Sequence, residues 1–352
     1  MRAKATKAAA ARAGGEKKKT KSMKYVEIPA EVGARPPITF DFAVEEFVAH
    51  HFTDDDYCFV WQTEPTVIIG RNQLLVNEVN VDYCRENNVF VARRKSGGGA
   101  VYSDEGNVMF SFISSEPDVQ VMFRWAMGQM AGVLRELGVD ASLSGRNDIL
   151  VDGRKVAGAA FYRTAGRGVM HNTLLFKSDM TALQRAITPS REKLQSKGVK
   201  SVSQRVANVS EFLPGMTVGE FIGHARRILC GDNVRALTSE DMAEIRATQE
   251  RMGRREWIYG RMPRHSEVRM GRLPGVGTIE AYLEVKDGRI VDLNLAGDFF
   301  IIGDVDRDII APLRHVPFTR EGVREALGNA DMDNVVRGLT PQGLEQVLFG
   351  ED

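Results

Sequence analysis

At 352 residues, with charged side chains at 27% and apolar ones at 43%, the chain has the balance of a folded globular protein and room for about two domains, each with its own core. Lysine plus arginine and aspartate plus glutamate both number 47, which excludes a global field drawing the protein onto nucleic acid or an anionic membrane, so any basic site is local. Cys58, Cys84 and Cys230 form no C-x-x-C pair and are odd in number, which argues against a disulfide framework or zinc cluster and for a reducing, cytoplasmic setting. No run approaches the ~18 apolar residues of a membrane span, and no apolar signal core opens the chain.

Residues 1–22 (MRAKATKAAAARAGGEKKKTKS) are rich in Ala, Lys and Arg and nearly devoid of large apolar residues, so they cannot offset the entropy of folding and read as a solvated, disordered tail. An organelle-targeting segment is the other reading of that composition. From Met23 the pattern becomes globular. FDFAVEEFVAHHF (40–52) spaces its apolar residues as a helix, and YCFVWQTEPTVIIGRNQ (57–73) predicts two short strands about Glu64-Pro65. VDYCRENNVFVARR (81–94) predicts a helix and then a strand, and AVYSDEGNVMFSFIS (100–114) a strand, a turn at Asp104 to Asn107, and a strand.

A helix over 119–138 stops at Gly138, DILVDGRKVAGAAFYR (148–163) turns as a hairpin at Asp152-Gly153, and GVMHNTLLFKSDM (168–180) is another strand. A helix follows over 238–252, then two strands about Asp287-Gly288 and helices at 319–327 and 340–349. This order predicts an α+β catalytic domain over 23–255 with a large, mostly antiparallel sheet, a hinge at EWIYGRMP (256–263), and a small α+β domain over 264–352.

The densest chemistry lies at RRKSGGG (93–99). Three glycines remove every β-carbon, so successive amides can form an anion-binding concavity beside Arg93, Arg94 and Lys95; a plain flexible turn is the alternative. The pattern is neither a Walker loop nor G-x-G-x-x-G. Lys155 follows a tight turn and precedes Ala157, Gly158, Ala159 and Ala160, small residues that leave space for a substrate beside a point charge; a solvated hairpin lysine fits the spacing equally. Asn147 and Asp148 suit a metal ion, a ribose hydroxyl or a turn cap. His171, alone on an apolar strand with no Ser or Cys nucleophile motif, reads as a hydrogen-bonded support. The basic, polar stretch 191–212, centred on Gly198, suits either a lid over an anionic ligand or a wet surface.

In series, RRKSGGGAVYSDEGNVMFSFI (93–113), GRNDILVDGRKVAGAAFYR (145–163), HNTLLFKSDM (171–180) and KLQSKGVKSVSQRVANVSEFLPG (193–215) resemble the lipoate-protein ligase family, and the likeness runs from about Met23 to the C-terminus. The resemblance implies the fold shared by biotin ligases and lipoyl or octanoyl transferases. It also implies that ATP, accompanied by magnesium, and (R)-lipoate give lipoyl-AMP and pyrophosphate. The acyl group then passes to a lysine of apo lipoyl domains in 2-oxoacid dehydrogenase complexes or of the glycine cleavage H protein, in lipoate salvage. Carried over by motif, Lys155 is the catalytic lysine touching both ligands. Arg94, Ser96, Gly97, Gly98, Gly99, Ala100, Val101, Tyr102, Asn107 and His171 belong to the ATP- and lipoate-binding set, with Asn147 and Asp148 beside the adenylate and Asp148 the candidate magnesium ligand.

The physical chemistry matches this. Activating a carboxylate brings two anions together, lipoate and the α-phosphate, and their repulsion needs cations and amides before in-line attack. The apolar sides of 99–102 and 108–113 would wall a narrow slot for an eight-carbon chain. Ser103 stands where the family usually has His, and Asn172 where it usually has Gly or Cys, which bears on the acyl chain preferred, lipoate or octanoate. Two other readings are an ATP-independent transferase working through an acyl-cysteine, and a non-catalytic lipoate-binding protein. The three cysteines lie outside the motifs, and Lys155 is present.

Overall fold

The computed structural model describes residues 23–33, 35–144, 147–187, 206–260 and 263–350. The tail expected over 1–22 and residues 191–205 of the basic stretch lie outside them. The chain opens with β1 (Met23–Glu27), α1 (Ile38–His51), β2 (Asp56–Trp61), β3 (Thr66–Ile69), α2 (Leu75–Glu78), α3 (Val81–Glu86), β4 (Phe90–Arg93) and β5 (Val101–Ser103). It continues through β6 (Asn107–Ser114), α4 (Val119–Glu136), β7 (Ala141–Ser144), β8 (Asp148–Val151), β9 (Arg154–Thr164), β10 (Arg167–Leu175) and α5 (Met180–Ala186). After α6 (Val218–Cys230), β11 (Val234–Ala236), α7 (Ser239–Gly253) and α8 (Arg255–Tyr259), a second unit holds β12 (Glu267–Leu273), β13 (Gly277–Lys286), β14 (Arg289–Gly297), α9 (Arg320–Leu327) and α10 (Pro341–Phe349).

The fold is mixed α+β. Among the described residues an eight-stranded sheet runs β11-β1-β2-β6-β10-β9-β8-β7, antiparallel except where β1 pairs with β2 and β11. Three-stranded sheets β4-β3-β5 and β12-β13-β14 stand apart from it. The strand, turn and strand of 100–114 are therefore no hairpin: β5 pairs with β3, while β6 inserts between β2 and β10. The cause is burial, since all eight residues of β6 are out of water and need partners on both edges and cover on both faces. The turn at Asp152-Gly153 is a true hairpin, with both residues at positive φ (49° and 73°).

Alternation along β6, β9 and β10 separates two faces. Phe110, Phe112 and Phe161 point to the face covered by α4 and α6, where their rings lie 6.4 Å from Phe221, 5.6 Å from Trp125 and 5.9 Å from Phe123. Each such ring contributes roughly 1.5–3 kcal/mol by leaving water. Helix α4 begins where Asp118 accepts from the amides of Gln120 and Val121, and its apolar residues recur one turn apart at Met122, Ala126, Met130 and Leu134. The opposite face, carrying Ser111, Tyr162 and His171, lies under α1. That helix follows Pro36-Pro37 and is sandwiched between the sheet and α7, which buries even Asp41 and Glu45. The second unit has its own core, with Leu283, Leu293 and Phe299 packed among Val323, Leu344 and Leu348.

Candidate active site

The glycine loop is built around Arg94. Its side chain is buried and donates through Nε to Ser96 Oγ (2.9 Å), through Nη1 to the Ile68 carbonyl (3.1 Å), and through Nη2 to the carbonyls of Gly97 and Gly99 (2.7 and 2.8 Å). Burial, with Arg93 adjacent, brings its pKa down to about 10, so the guanidinium stays charged at neutral pH. Arg94, expected in the ATP- and lipoate-binding set, directs its donors into the protein. Four of its five N–H groups are taken up within the protein, two by the loop carbonyls of Gly97 and Gly99, one by the Ser96 hydroxyl and one by the Ile68 carbonyl of β3, which fixes the loop's shape.

A chain of buried polar groups holds the loop from below. Ser96 Oγ lies 2.7 Å from His171 Nε2, and His171 Nδ1 lies 3.1 and 3.2 Å from the two oxygens of Glu45. Glu45 also accepts from Ser111 (2.6 Å) and Tyr162 (3.3 Å), and Ser111 accepts from the Trp61 indole (2.9 Å). With Nδ1 donating to the carboxylate, Nε2 accepts the Ser96 hydroxyl, and one proton serves each acceptor from Arg94 to Glu45. One helical turn before Glu45, Asp41 is fully buried with both oxygens unpartnered. Burial first, and Glu45 second, push its pKa well above the usual carboxylate range, so it is held protonated. The sequence reading missed both acids. Their signal was two carboxylates four residues apart inside the apolar run FDFAVEEF, a spacing that places them on one face.

Lys155 occupies a different part of the same sheet face. Its ammonium lies 2.7 Å from Asp148 Oδ1, with both side chains about a third exposed. A β-carbon on Gly158 would sit 3.0 Å from Lys155 Nζ, so the missing methyl is the space the ammonium uses. Gly158 pairs with Thr173 and Ala160 with His171, so alternation puts Gly158, Ala160 and His171 on one face, beneath the loop that Ser96 ties down. Lys155 and the small residues of β9 thus share the sheet face that carries His171, which the glycine loop contacts through Ser96.

The remaining predicted residues divide. Asn147 braces β9: its Nδ2 donates to the Ala159 carbonyl (2.9 Å) and its own carbonyl accepts from the Ala159 amide (3.0 Å). Asn107 is buried, with Nδ2 donating to the Tyr102 carbonyl at 3.4 Å and Oδ1 unpartnered. Of the slot wall expected at 100–102, Ala100 and Tyr102 turn into the small core around Val67, Ile69 and Ala186, while Val101 packs on the large core. On β6, Val108, Phe110 and Phe112 likewise face away from His171, which leaves Met109, Ser111 and Ile113 on the His171 face, buried under α1. Ser103 is buried with an unpartnered hydroxyl. Asn172 pairs with Phe110 and Ala159, on the face opposite His171, so its bulk lies under α4 and α6 rather than beside Lys155. For a magnesium ion, Asp148 supplies one carboxylate, and no group of three His, Cys, Asp or Glu side chains converges among the described residues. That donor set fits an ion held mostly by phosphates and water.

The second unit seats on the glycine loop. Gly98, at φ 89°, donates its amide to the Phe299 carbonyl (3.1 Å), the Phe300 ring lies against it, and a β-carbon on Gly97 would stand 2.3 Å from the same carbonyl. The expected open amide cradle is therefore partly filled by the chain's own backbone. Arg93 binds the connecting stretch: its Nε donates to the carbonyls of Trp257 and Ile258 (3.1 and 2.9 Å), and the Trp257 indole donates back to the Arg93 carbonyl (2.9 Å).

The site thus combines a mixed α+β sheet with Lys155 on one face, a glycine loop tied to His171 of that face, and a small second unit seated on the loop. The comparisons with known proteins narrow its class. The family model "Lipoyl protein ligase A/B catalytic domain" matches residues 37–228, and "Bacterial lipoate protein ligase C-terminus" matches 262–348. The lipoate-protein ligase LplJ of Bacillus subtilis is 37% identical over 319 residues, covering 88% of this chain and 96% of that protein. P. falciparum LipL1, solved in complex with lipoate, superposes with a TM-score of 0.71 at 22% identity, covering 87% of this chain and 93% of that one. A lipoate-protein ligase A bound with ATP gives 0.56 at 24% identity, covering 68% and 98%. The chain belongs to the lipoate-protein ligase family.

Proposed function

We propose that this protein is an ATP-dependent, AMP-forming lipoate-protein ligase that joins (R)-lipoate to AMP and then acylates a lysine of apo lipoyl domains in 2-oxoacid dehydrogenase complexes or the glycine cleavage H protein, in cytoplasmic lipoate salvage. The observation that carries this reading is Lys155. Its ammonium sits in the gap left by Gly158, on the sheet face that lies beneath the glycine loop. There it neutralises the approach of a carboxylate to an α-phosphate, while the loop amides bind the oxygens that gain charge in the transition state. Small residues on β9 leave the slot for the acyl chain, and magnesium bound by the ATP phosphates would find Asp148 as its protein ligand. The relatives solved with lipoate and with ATP support the two substrates.

Binding the phosphates at Gly98 competes with the Phe299 carbonyl, so adenylation requires the second unit to move. Arg93 clasps Trp257, Ile258 and Tyr259 to β4, which supports a pivot beyond Tyr259 within the hinge expected over 256–263. The transferase alternative needs a cysteine facing Lys155. Cys58 pairs with Phe112 on the helix-covered face, Cys230 ends α6, and Cys84 lies in the small core, so none of the three faces Lys155. The test incubates protein freed of bound adenylate with an apo lipoyl domain and lipoate, with and without ATP, and weighs the acceptor. A lipoyl mass gain only with ATP is expected; a gain without ATP favours the transferase.

A further inference from the structure

The sequence offers three cysteines with no pairing motif, yet the fold brings two of them together from opposite ends of the catalytic unit. Cys58 Sγ and Cys230 Sγ lie 3.3 Å apart, although 172 positions separate them in the chain. Cys58 sits on β2, between Tyr25 of β1 and Phe112 of β6, and is buried. Cys230 is the last residue of α6 and is partly exposed. It is followed by Gly231 at φ 55°, a helix terminus whose backbone can shift at little cost. Cys84, the remaining thiol, is buried in the small core, away from both.

We propose that Cys58 and Cys230 are a site of reversible oxidative modification, closing to an intramolecular disulfide when the protein meets a small-molecule disulfide or diazene oxidant. The exposed member reacts first. The Cys230 thiolate attacks one sulfur of an oxidised disulfide, RSSR, forming a mixed disulfide and releasing one RS⁻. The Cys58 sulfur then attacks Cys230 Sγ, expels the second RS⁻ and gives up its proton, so two protein thiols and RSSR become one protein disulfide and two RSH; with a diazene, Cys230 adds to one nitrogen of N=N, and Cys58 displaces that nitrogen, so the two thiol hydrogens end on the hydrazine formed. The remaining movement is small, because a bonded pair stands at about 2.05 Å and the two sulfurs need close by only roughly 1.3 Å. The Cys58 thiol is held above its ordinary range first by its hydrogen bond with Cys230 and then by burial, which, with the partial exposure of Cys230, assigns the first attack to Cys230. In a reducing compartment such a bond is transient, which suits a sensor better than a permanent staple. Once formed, it ties β2 to the end of α6 and encloses the glycine loop, Lys155 and His171 in one covalent ring.

The test uses the full chain, reduced, desalted and exposed to diamide. Intact mass should fall by about 2 Da, alkylation should find one thiol in place of three, and peptide mapping should recover a Cys58 to Cys230 link that dithiothreitol reverses. The linked form should melt on the order of 5 °C above the reduced one, as expected for a cross-link spanning so long a segment. Cys230→Ser, altered at a helix end, should fold normally and show no such mass loss. Three alkylatable thiols after oxidation, a link to Cys84, a link only between two chains, or an oxidant adduct that persists on Cys230 would each overturn the proposal. A linked form that melts no higher would overturn its stabilising role.

Discussion

Removing the Lys155 ammonium separates stability from chemistry more cleanly than any other change in this protein. The ion pair with Asp148 is short, at 2.7 Å, but both partners are about a third exposed, so solvent screens it and its loss costs on the order of 0–1 kcal/mol of folding free energy. In the proposed reaction the same charge faces two anions, the lipoate carboxylate and the α-phosphate. A preorganised group stabilising developing charge is worth about 3–4 kcal/mol, or 10²–10³ in rate. Lys155→Ala should therefore melt within about 3 °C of the wild type while losing at least a hundredfold in lipoate-dependent pyrophosphate exchange. Transfer from synthetic lipoyl-AMP to an apo lipoyl domain, measured in parallel, shows how much of the defect lies in adenylation. Exchange within tenfold of wild type in a correctly folded variant would refute the assignment of the charge to this step.

Gly158→Ala tests the same geometry from the other side: its β-carbon would stand 3.0 Å from Lys155 Nζ, so the ammonium must move and exchange should fall about tenfold with an unchanged melting curve. Glu45→Gln keeps the volume but gives His171 Nδ1 a neutral acceptor, so the loop loosens and the KM for ATP and lipoate should rise about tenfold in steady-state assays. Asn172→Val removes a fully buried amide with neither atom partnered and should raise stability by about 1–3 kcal/mol in denaturant melts; a loss would show that the amide is satisfied. Asp41 holds its proton when folded and loses it when unfolded, so the unfolded state binds fewer protons once the pH exceeds its own pKa. This group therefore costs stability progressively, up to about 1.4 kcal/mol per pH unit, as the pH rises above about 4. Asp41→Asn should accordingly stabilise the protein more at pH 7 than at pH 5 in matched melts.

Much of the architecture was written locally. The helix over Ile38–His51, the hairpin at Asp152-Gly153, the helix stopped near Gly138 and the turn at Asp287-Gly288 all depend on residues close in sequence, through periodicity, positive φ and capping. Strands too short or too irregular to show a period, such as β1, β11 and β12, escaped notice because only their partners stabilise them. The motifs RRKSGGG and GRKVAG located the candidate site and the family, because glycine and lysine at fixed spacing answer a chemical demand that any fold must meet.

What each of these residues touches was decided by packing. Arg94 looks like a phosphate clamp in the sequence, yet the fold spends its donors on backbone carbonyls of Ile68, Gly97 and Gly99, since a buried guanidinium must satisfy its N–H groups wherever acceptors lie. The split of β5 and β6 between two sheets turns Tyr102 into the small core and Asn172 to the far side of the sheet, a consequence of strand parity that no short window reveals. Glu45 and His171, 126 positions apart, meet only because α1 crosses β10, and Cys58 meets Cys230 only because α6 ends over β2. Sequence determined which chemistry is present; tertiary structure decided which groups are free to use it, because hydrogen bonding and burial are properties of contacts between segments that the chain itself keeps far apart.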